Sequence, residues 1–516
     1  MTLLEVLRRN GILVESVCGG RGRCGKCLVV TTPAPPPSLT DRSHLNPEDV
    51  ARGVRLACQH FVTDGLVVRI ASRDGHLPLL EPGVRLTPRV YDRPWESDIG
   101  IAIDVGTTTV SYYIVGLPSG NLLCEASHVN PQVSFGTDVI ARIEYASDHE
   151  DGVQVLREVL LRSIDHAIHR ICDSVQSSCD QIRRVSVVGN TAMTHILLGL
   201  DLRPLGRAPY SPVSVSSREL SAAELGLSSC PEARVYTAPM VAGFVGGDTV
   251  GFVMAQSIDQ HDGVVLGIDI GTNTEIVLGG RDGLWCCSAA AGPAFEGATI
   301  SRGMRAEPGA ISHVSINDPD GAPLLEVIGD EQTPRGLCGS GILDLVAEMT
   351  RAGIVDCSGS LVRSRRVIDV GPYGRAYLVH QDDRGHSLLF TQDDVRQVQL
   401  AKAAIAAGAA TLMRTHGISP SQLDVVYIAG AFGSHLSPTS ALTIGMLPPV
   451  SADRVISVGN AAGVGARSLL LSAEARRRAS RIARAMVYTE LVRTPIFRDL
   501  FLQATLLGQT DIWTGT

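Results

Sequence analysis

The stretch that decides the fold occurs twice, as DIGIAIDVGTTTVSYYIVG at residues 98–116 and as VVLGIDIGTNTEIVLGG at residues 264–280. Each copy has an apolar run, then Asp-x-Gly-Thr, then a second run rich in β-branched residues. This pattern predicts a strand, a turn and a second strand. The copies lie about 165 residues apart, which is too far for a short solenoid repeat. The sequence therefore predicts a duplicated α/β fold with two similar lobes around a cleft.

The two Asp-x-Gly-Thr turns predict a site for phosphate groups. Backbone N–H groups and hydroxyls in such turns can hold phosphate oxygens from opposite sides of a cleft. The turn residues are Gly106, Thr107, Thr108, Gly271, Thr272 and Asn273. Asp104 and Asp269 precede them, where a carboxylate can hold Mg²⁺ through water or orient an attacking water. One such turn is common, but two in matching contexts indicate a nucleotide site.

Four more segments complete a pattern that begins with the duplicated copies. They are VVGNTAMTHILLG at 187–199, APMVAGFVGGDTVGFVMA at 238–255, VVYIAGAFGSHL at 425–436 and NAAGVGARSLLL at 460–471. In this order they resemble the actin, heat-shock ATPase and sugar-kinase superfamily. The resemblance implies an RNase H-like ATPase with an adenosine loop at Gly430 and Gly433. It also implies two connecting helices, and small residues that let helices cross closely.

Four cysteines near the start of the chain predict an iron–sulfur cluster. Cys18, Cys24 and Cys27 lie in VCGGRGRCGKCLVV, and Cys58 lies in GVRLACQHF. Four thiolates complete a 2Fe–2S centre, and the intervening glycines permit positive φ and a close backbone approach. A zinc site is the main alternative, although zinc ligands usually come as two C-x2-4-C pairs. A secreted disulfide framework is less favoured, because no signal peptide precedes the motif.

The cluster loop resembles that of vertebrate-type and plant-type 2Fe–2S ferredoxins. Residues 2–10 predict a short amphipathic helix that Gly11 ends, and residues 67–70 predict a strand. Ferredoxins of the β-grasp type begin with a two-stranded hairpin, whereas this chain starts at the helix. We therefore expect a β-grasp ferredoxin, truncated or short of two strands, over residues 1–70.

The remaining boundaries follow from composition. Residues 71–97 contain four prolines and no clear periodicity, which predicts a semi-rigid linker. We expect the first ATPase lobe at 98–262 and the second at 263–516. The whole chain is therefore expected to be a multidomain α/β protein.

Composition and charge exclude several classes of function. The 516-residue chain has a net charge of −8 and 4% aromatic residues, which argues against a general nucleic-acid binder. The apolar stretch at 235–258 contains Asp248 and fits a buried turn better than a membrane helix. The eight cysteines outside the cluster motif suit small buried side chains in a reducing compartment. We expect a soluble, cytoplasmic protein.

A ferredoxin, a linker and this ATPase in one chain resemble the reductive activators of corrinoid proteins. AAGPAFEGATISRGMRAEPGAI at 290–311 and RGLCGSGILDLVAEM at 335–349 also resemble segments of that family. The resemblance implies that one electron passes from a 2Fe–2S cluster to cob(II)amide, regenerating cob(I)amide for methyl transfer. It implies ATP and Mg²⁺ as further cofactors, a corrinoid protein of a methyltransferase system as partner, and a homodimer. The upstream electron donor stays unidentified.

Other functions are open at this point. An activator of another low-potential enzyme would share the ATPase half but hold a 4Fe–4S cluster between subunits. A small-molecule kinase with a fused redox module would need a base for a hydroxyl nucleophile, which the sequence does not reveal. A non-hydrolysing cleft that serves as a binding platform is the third alternative.

Several single residues have both a structural and a functional interpretation. We favour buried packing for Cys338 and His195, and a solvated surface for the basic run from Arg476 to Arg484. The alanine-rich stretch at 401–410 predicts a tightly packed core helix. Glu296 and Arg302 lie in a Gly-rich stretch, and either form a turn or approach a phosphate or a partner.

Overall fold

The computed structural model describes residues 1–516 except 11, 13, 15, 17, 24, 71–88, 91–96, 176, 330–332, 363, 372, 373, 383, 384, 431–435, 509, 510 and 514–516. The side chains of residues 89 and 90 are also not described. The predictions for Gly11, Cys24, Gly433 and most of the 71–97 linker lie outside the described residues. The chain divides into two compact units, one formed by 1–251 with 465–480 and the other by 252–464 with 481–516.

The regular elements of the described residues are numbered here in chain order. The helices are α1 Leu3–Arg9, α2 Leu39–His44, α3 Pro47–Ala51, α4 Val139–Asp148, α5 Gly152–Ser174, α6 Thr191–Leu198, α7 Ala222–Leu225, α8 Gly247–Ala255, α9 Gly339–Arg351, α10 Gln392–Thr415, α11 Pro438–Thr443, α12 Ala461–Leu471, α13 Ala473–Ala485 and α14 Pro495–Ala504. The strands are β1 Leu28–Thr32, β2 Val54–Leu56, β3 Val67–Ile70, β4 Arg89–Val90, β5 Ile99–Val105, β6 Thr109–Gly116, β7 Leu122–Val129, β8 Ile182–Gly189, β9 Arg218–Ser221, β10 Arg234–Thr237, β11 Val264–Ile270, β12 Thr274–Gly280, β13 Gly283–Ala289, β14 Ala310–Ser315, β15 Leu324–Val327, β16 Gly336–Leu337, β17 Val367–Asp369, β18 Arg375–Gln381, β19 Ser387–Thr391, β20 Leu423–Ala429, β21 Val455–Gly459 and β22 Val487–Tyr488.

The start of the first unit is a small helix-and-sheet core that carries the cysteine motif. Strands β2, β1 and β3 form an antiparallel sheet in that order. Helix α1 begins where the Thr2 side chain accepts a hydrogen bond from the Glu5 N–H, which satisfies one free donor of the first turn. Leu3 and Leu4 of α1 are buried in one cluster with Cys27 and Cys58. The predicted helix at 2–10 and strand at 67–70 are confirmed as α1 and β3.

The rest of the first unit is built on a seven-stranded mixed sheet, in the order β4-β7-β6-β5-β8-β10-β9. Strands β5 and β6 are antiparallel, with Asp104 opposite Ser111, and β8 runs parallel to β5. Every residue of β5 except Asp104 is buried, because both faces of this central strand are covered. Asp104 therefore stands at the end of a fully packed strand.

The second unit repeats this arrangement in its main sheet, of order β21-β20-β11-β12-β13-β22. Strands β11 and β12 are antiparallel, with Asp269 opposite Glu275, and β20 runs parallel to β11. Both copies of the duplicated segment thus form a strand, a turn and an antiparallel strand, as the sequence predicted. In each copy the aspartate is the next-to-last residue of the first strand.

Helix α10 is the long central helix of the second unit. Its alanine-rich part is almost completely buried, as predicted, because small side chains let it lie against the sheet. A Cβ on Gly408 would be 2.8 Å from the Ile276 side chain. Polar side chains of α10 hold the end of the chain: Gln399 donates to the Thr505 carbonyl at 2.7 Å, and Lys402 donates to the Leu506 carbonyl.

Residues 465–480 return to the first unit late in the chain. At the crossing of α8 and α12, a Cβ on Gly465 would lie 2.3 Å from the Cα and carbonyl oxygen of Gly251. Only two glycines permit this approach, so the predicted close crossing through small residues is confirmed. The Ser186 hydroxyl also donates to the Ala466 carbonyl at 2.7 Å. As for membranes, none of the helices in the described residues combines the length and the apolar character needed to span one.

Candidate functional site

The described cysteines of the motif lie around one short loop. Cys27 and Cys58 are buried at 1% and 7% exposure, whereas Cys18 is half-buried. A hydrogen bond from the Cys27 thiol lowers the pKa of the Cys58 thiol to about 6, assisted by N–H groups of Gln59 and Gly22. The structure therefore brings Cys27 and Cys58 together and favours the thiolate form that binds metal.

Backbone and side-chain N–H groups point at these sulfur atoms. Gln59 Nε2 lies 3.3 Å from Cys58 Sγ, and the Arg23 N–H lies 3.4 Å from Cys18 Sγ. Gly22 has a φ of +71°, which a residue with a Cβ rarely adopts. Such donors stabilise sulfur ligands of an iron–sulfur cluster and tune its potential. The chemistry of the loop therefore fits a cluster, although the described residues, which leave out Cys24, contain no complete group of three metal-ligating side chains.

The first Gly-Thr turn is held from several sides. Asn130 Nδ2 donates to the Gly106 carbonyl at 2.9 Å, and Asn190 Nδ2 donates to Thr107 Oγ1 at 3.0 Å. The Arg142 guanidinium donates to the Thr107 carbonyl. A turn fixed in this way can present its remaining N–H groups to an anion without a large loss of entropy.

A second carboxyl lies at the same edge of the first unit. A Cβ on Gly246 would be 2.4 Å from Asn190 Cα, so the start of α8 lies against the end of β8. Asp248 is in the first turn of α8, and burial raises its pKa to about 6. A carboxyl with this pKa exchanges a proton near neutral pH. The sequence predicted a buried turn at Asp248, whereas the structure places this residue in the first turn of α8. The Gly-Gly pair that precedes Asp248 was the available signal for this helix start.

The second unit brings Asp269 and Gly430 together. Gly430 has a φ of +96°, and a Cβ there would lie 2.3 Å from the Ile270 carbonyl oxygen and 3.0 Å from Asp269 Oδ1. The Gly430 N–H donates to the Gly459 carbonyl at 3.0 Å. The end of β11 and Gly430, which directly follows β20, are thus in direct contact.

The second Gly-Thr turn has an acidic partner. The Thr272 hydroxyl donates to Glu296 Oε1 at 2.6 Å, and the Gly292 N–H donates to the Thr272 carbonyl at 3.0 Å. Glu296 therefore lies at the turn itself. The Glu296 N–H also donates to the Pro293 carbonyl at 3.2 Å, so the turn that the sequence left open for Glu296 is observed, and it lies beside Thr272.

Three other candidates have structural roles. His195 is fully buried, its Nδ1 lies 2.8 Å from the Thr191 carbonyl oxygen, and burial lowers its pKa. The Cys338 thiol is buried and donates to the Ile311 carbonyl. Arg476 pairs with Glu219 at 2.8 Å and lies over the Tyr236 ring, so one arginine of the basic run is part of a packed contact.

Comparison with known families divides the chain into three matched parts. Residues 1–63 match the 2Fe-2S iron-sulfur cluster binding domain. Residues 99–261 match the RACo middle region, and residues 263–514 match the C-terminal domain of RACo, the ASKHA domain.

Two named proteins and one solved structure are similar to this chain over most of its length. It is 30% identical to the corrinoid activation enzyme RamQ of Eubacterium limosum, over 98% of this chain and 96% of the relative. It is 25% identical to the [Co(II) methylated amine-specific corrinoid protein] reductase of Methanosarcina barkeri, over 72% of this chain and 70% of the relative. A solved structure described as a reductive activator for a corrinoid, iron-sulfur protein matches with a TM-score of 0.74 and 31% identity, covering 99% of this chain and 96% of the other.

Proposed function

This chain belongs to the family of reductive activators of corrinoid proteins, and we propose that it passes one electron from a 2Fe–2S cluster to a corrinoid protein in an ATP-dependent step. The electron converts cob(II)amide to cob(I)amide, which then re-enters methyl transfer. The observation that carries this proposal is the presence of a cysteine loop with sulfur-directed donors and two Asp-x-Gly-Thr turns in a chain that matches such activators along its length.

The cysteine loop supports the electron-carrying role. Cys18, Cys24, Cys27 and Cys58 hold the cluster in this proposal, and the N–H groups of Gly22, Arg23 and Gln59 stabilise its sulfur atoms. When bound, a 2Fe–2S cluster accepts and releases one electron at a low potential. Residues 1–70 form the electron carrier, and 71–97 join it to the ATPase. Residues 98–262 and 263–516 are the two ATPase lobes, of which the segment 465–480 packs with the first unit.

The two turns support the nucleotide role. Gly106, Thr107 and Thr108 and their counterparts Gly271, Thr272 and Asn273 bind phosphate oxygens. Asp104 and Asp269 hold Mg²⁺ or the attacking water, and Gly430 with Gly433 leaves room for the adenosine.

The need for ATP follows from the energetics of the electron transfer. Plant-type 2Fe–2S centres lie near −400 mV, and moving one electron to an acceptor about 100 mV lower costs about 2.3 kcal/mol. Binding and hydrolysis of a nucleotide can offset this cost when they favour one conformation of the complex. We place the protein in the cytoplasm, which fractionation of cells tests. We also expect a homodimer, which sedimentation of the purified protein tests.

The direct test is reduction of a corrinoid protein by the reconstituted, reduced chain. Cob(II)amide loss is followed by its absorbance with ATP, with a non-hydrolysable analogue, and without nucleotide. We expect full reduction of the corrinoid protein only in the sample with ATP. We expect no reduction by the Asp104→Asn and Asp269→Asn variants in any sample. Asp262→Asn is the matched control, since the Asp262 side chain is 81% exposed. Equal reduction with and without ATP would overturn the proposed coupling.

EPR spectroscopy tests the cluster type in the same preparation. We expect the signal of a reduced 2Fe–2S centre, and a 4Fe–4S signal would favour an activator of another class. Phosphorylation of a sugar or an organic acid by the purified chain would instead indicate a kinase.

A further inference from the structure

Helix α4 in the first unit contacts two features that the proposed function leaves separate. Its inward side meets the first Gly-Thr turn, and its outward side meets the part of the chain that carries the cysteine loop. The helix is ten residues long and begins where Asp138 accepts a hydrogen bond from the Ala141 N–H. A short, capped helix moves as one piece, so a displacement at one side is felt at the other.

The inward contact is made by Arg142, which has no exposed surface. Its guanidinium donates to the Thr107 carbonyl, to the Gly136 carbonyl at 2.9 Å and to Gln132 Oε1 at 3.1 Å. The planar, permanently charged guanidinium holds these acceptors in a fixed geometry. The position of Thr107 is therefore tied to α4 and to the segment 130–136.

The outward contact is made by charged and aromatic side chains. Arg21, which lies between Cys18 and Cys24 in the sequence, pairs with Glu144 and also with Asp148 at 3.6 Å. The Tyr145 hydroxyl donates to Glu5 of α1 at 2.9 Å. The cysteine loop and the helix beneath it are thus both attached to α4.

A buried contact runs beside these surface pairs. Arg8 is 3% exposed, donates to the Gly19 carbonyl at 3.2 Å, and places its guanidinium 5.2 Å from the Phe135 ring centre. A Cβ on Gly19 would lie 3.1 Å from the Phe135 carbonyl oxygen. Phe135 directly precedes Gly136, which Arg142 holds. The backbone of the cysteine loop is therefore packed against the same segment that positions the Gly-Thr turn.

We infer that α4 couples nucleotide binding at the Gly106–Thr108 turn to the reduction potential of the cluster, with Arg142 as the positioning residue. This inference rests on the proposed function, because it requires both a cluster and a nucleotide. Nucleotide phosphates and the added electron both bring negative charge into the same unit, so each disfavours the other. We expect the nucleotide to lower the potential and thus to make the cluster a stronger reductant.

Thermodynamic linkage makes the inference quantitative. If nucleotide changes the free energy of reduction, reduction must change the nucleotide affinity by the same factor. A tenfold weaker binding to the reduced protein corresponds to a 59 mV lower potential for one electron. The two quantities are measured independently, by binding of a non-hydrolysable ATP analogue to oxidised and to reduced protein, and by a redox titration followed by EPR.

Variants on the two sides of α4 test the route. Arg142→Lys keeps the charge but loses the planar fork. Glu144→Gln, Tyr145→Phe and Asp148→Asn together remove the outward ion pairs and the hydrogen bond to Glu5. We expect about tenfold coupling in the wild type, and less than threefold in both variants. Glu158→Gln, on the exposed face of α5, is the matched control and retains the coupling. The combined outward variant keeps the test valid if Arg142→Lys does not fold.

The outcomes separate this inference from the proposed function. The inference is supported when the coupling is lost in Arg142→Lys and in the outward variant but is kept in Glu158→Gln. A wild-type protein that reduces the corrinoid protein with ATP, but whose potential does not respond to the analogue, overturns the inference and leaves the proposed function intact. Coupling that survives in the outward variant also overturns the route through α4. Failure of corrinoid reduction together with an unchanged coupling would count against the proposed function alone.

Discussion

Replacing Gly430 by alanine tests whether the contact between Gly430 and Asp269 shapes the nucleotide site. The new Cβ would lie 2.3 Å from the Ile270 carbonyl oxygen and 3.0 Å from Asp269 Oδ1, at a φ of +96°. The left-handed conformation costs an L-residue about 1–2 kcal/mol, and overpacking against backbone adds about 1–3 kcal/mol. We therefore expect a loss of about 2–5 kcal/mol in the free energy of unfolding.

Gly417 provides a matched control in the same unit. Its φ is +65°, and a Cβ there would have no neighbour within 4 Å. Gly417→Ala therefore includes the cost of a left-handed backbone and the stabilisation from a less flexible unfolded chain. It does not include a steric clash of the new Cβ. The difference between the two variants isolates the contact with Ile270 and Asp269, and we expect it to be about 1–3 kcal/mol.

Two measurements read out this pair of variants. Hydrogen exchange of β11 and β20 amides reports the local stability of the second unit without assuming that the whole chain unfolds in one step. Binding of a non-hydrolysable ATP analogue reports the site, and we expect at least tenfold weaker binding for Gly430→Ala, about 1.4 kcal/mol, with no change for Gly417→Ala. Two variants of equal stability and unchanged nucleotide affinity would refute the reasoning.

Three further predictions concern single residues. Cys58→Ser should remove the 2Fe–2S EPR signal while nucleotide binding is kept, and a cluster of unchanged spectrum would exclude Cys58 as a ligand. Asn190→Ala should weaken binding of the ATP analogue by about 1–2 kcal/mol, because the Thr107 hydroxyl loses its donor; calorimetry that shows equal affinity would contradict this. Burial lowers the pKa of Lys402 from 10.5 to about 7. Between about pH 7 and pH 10.5 the unfolded chain therefore binds more protons than the folded chain. The free energy of unfolding should rise with pH in this range, by up to about 1.4 kcal/mol per pH unit. Lys402→Met should lose this slope in denaturant unfolding, and parallel slopes for the two proteins would show that Lys402 does not titrate there.

The sequence predicted the strands, the helix and the cysteine loop that are encoded by residues close together in the chain. The duplicated Asp-x-Gly-Thr segments became β5–β6 and β11–β12 because buried strands and their turns are encoded by neighbouring residues. The alanine-rich stretch became the buried helix α10 for the same reason. The cysteine spacing similarly indicated the cluster loop, which matches the 2Fe-2S iron-sulfur cluster binding domain.

The polar contacts that hold the first turn were not predictable in this way. Asn130 directly follows β7, Arg142 is in α4 and Asn190 directly follows β8. Each looks like an ordinary polar residue in the sequence. Their roles exist only after β7, α4 and β8 have been brought to one edge. Similarly, Arg21 and Glu144 are 123 residues apart, and no periodicity links two surface charges at such a distance.

The late return of residues 465–480 to the first unit has a consequence for biosynthesis. The ribosome makes residues 1–251 first, yet α8 acquires its Gly465 neighbour only after the second unit has been almost completely translated. The first unit therefore cannot reach its final packing while the chain is still growing, although domains usually fold in the order of their synthesis. A gene cut after residue 251 would encode a product without this closing segment, whereas a fusion of residues 465–480 to residues 1–251 would supply it.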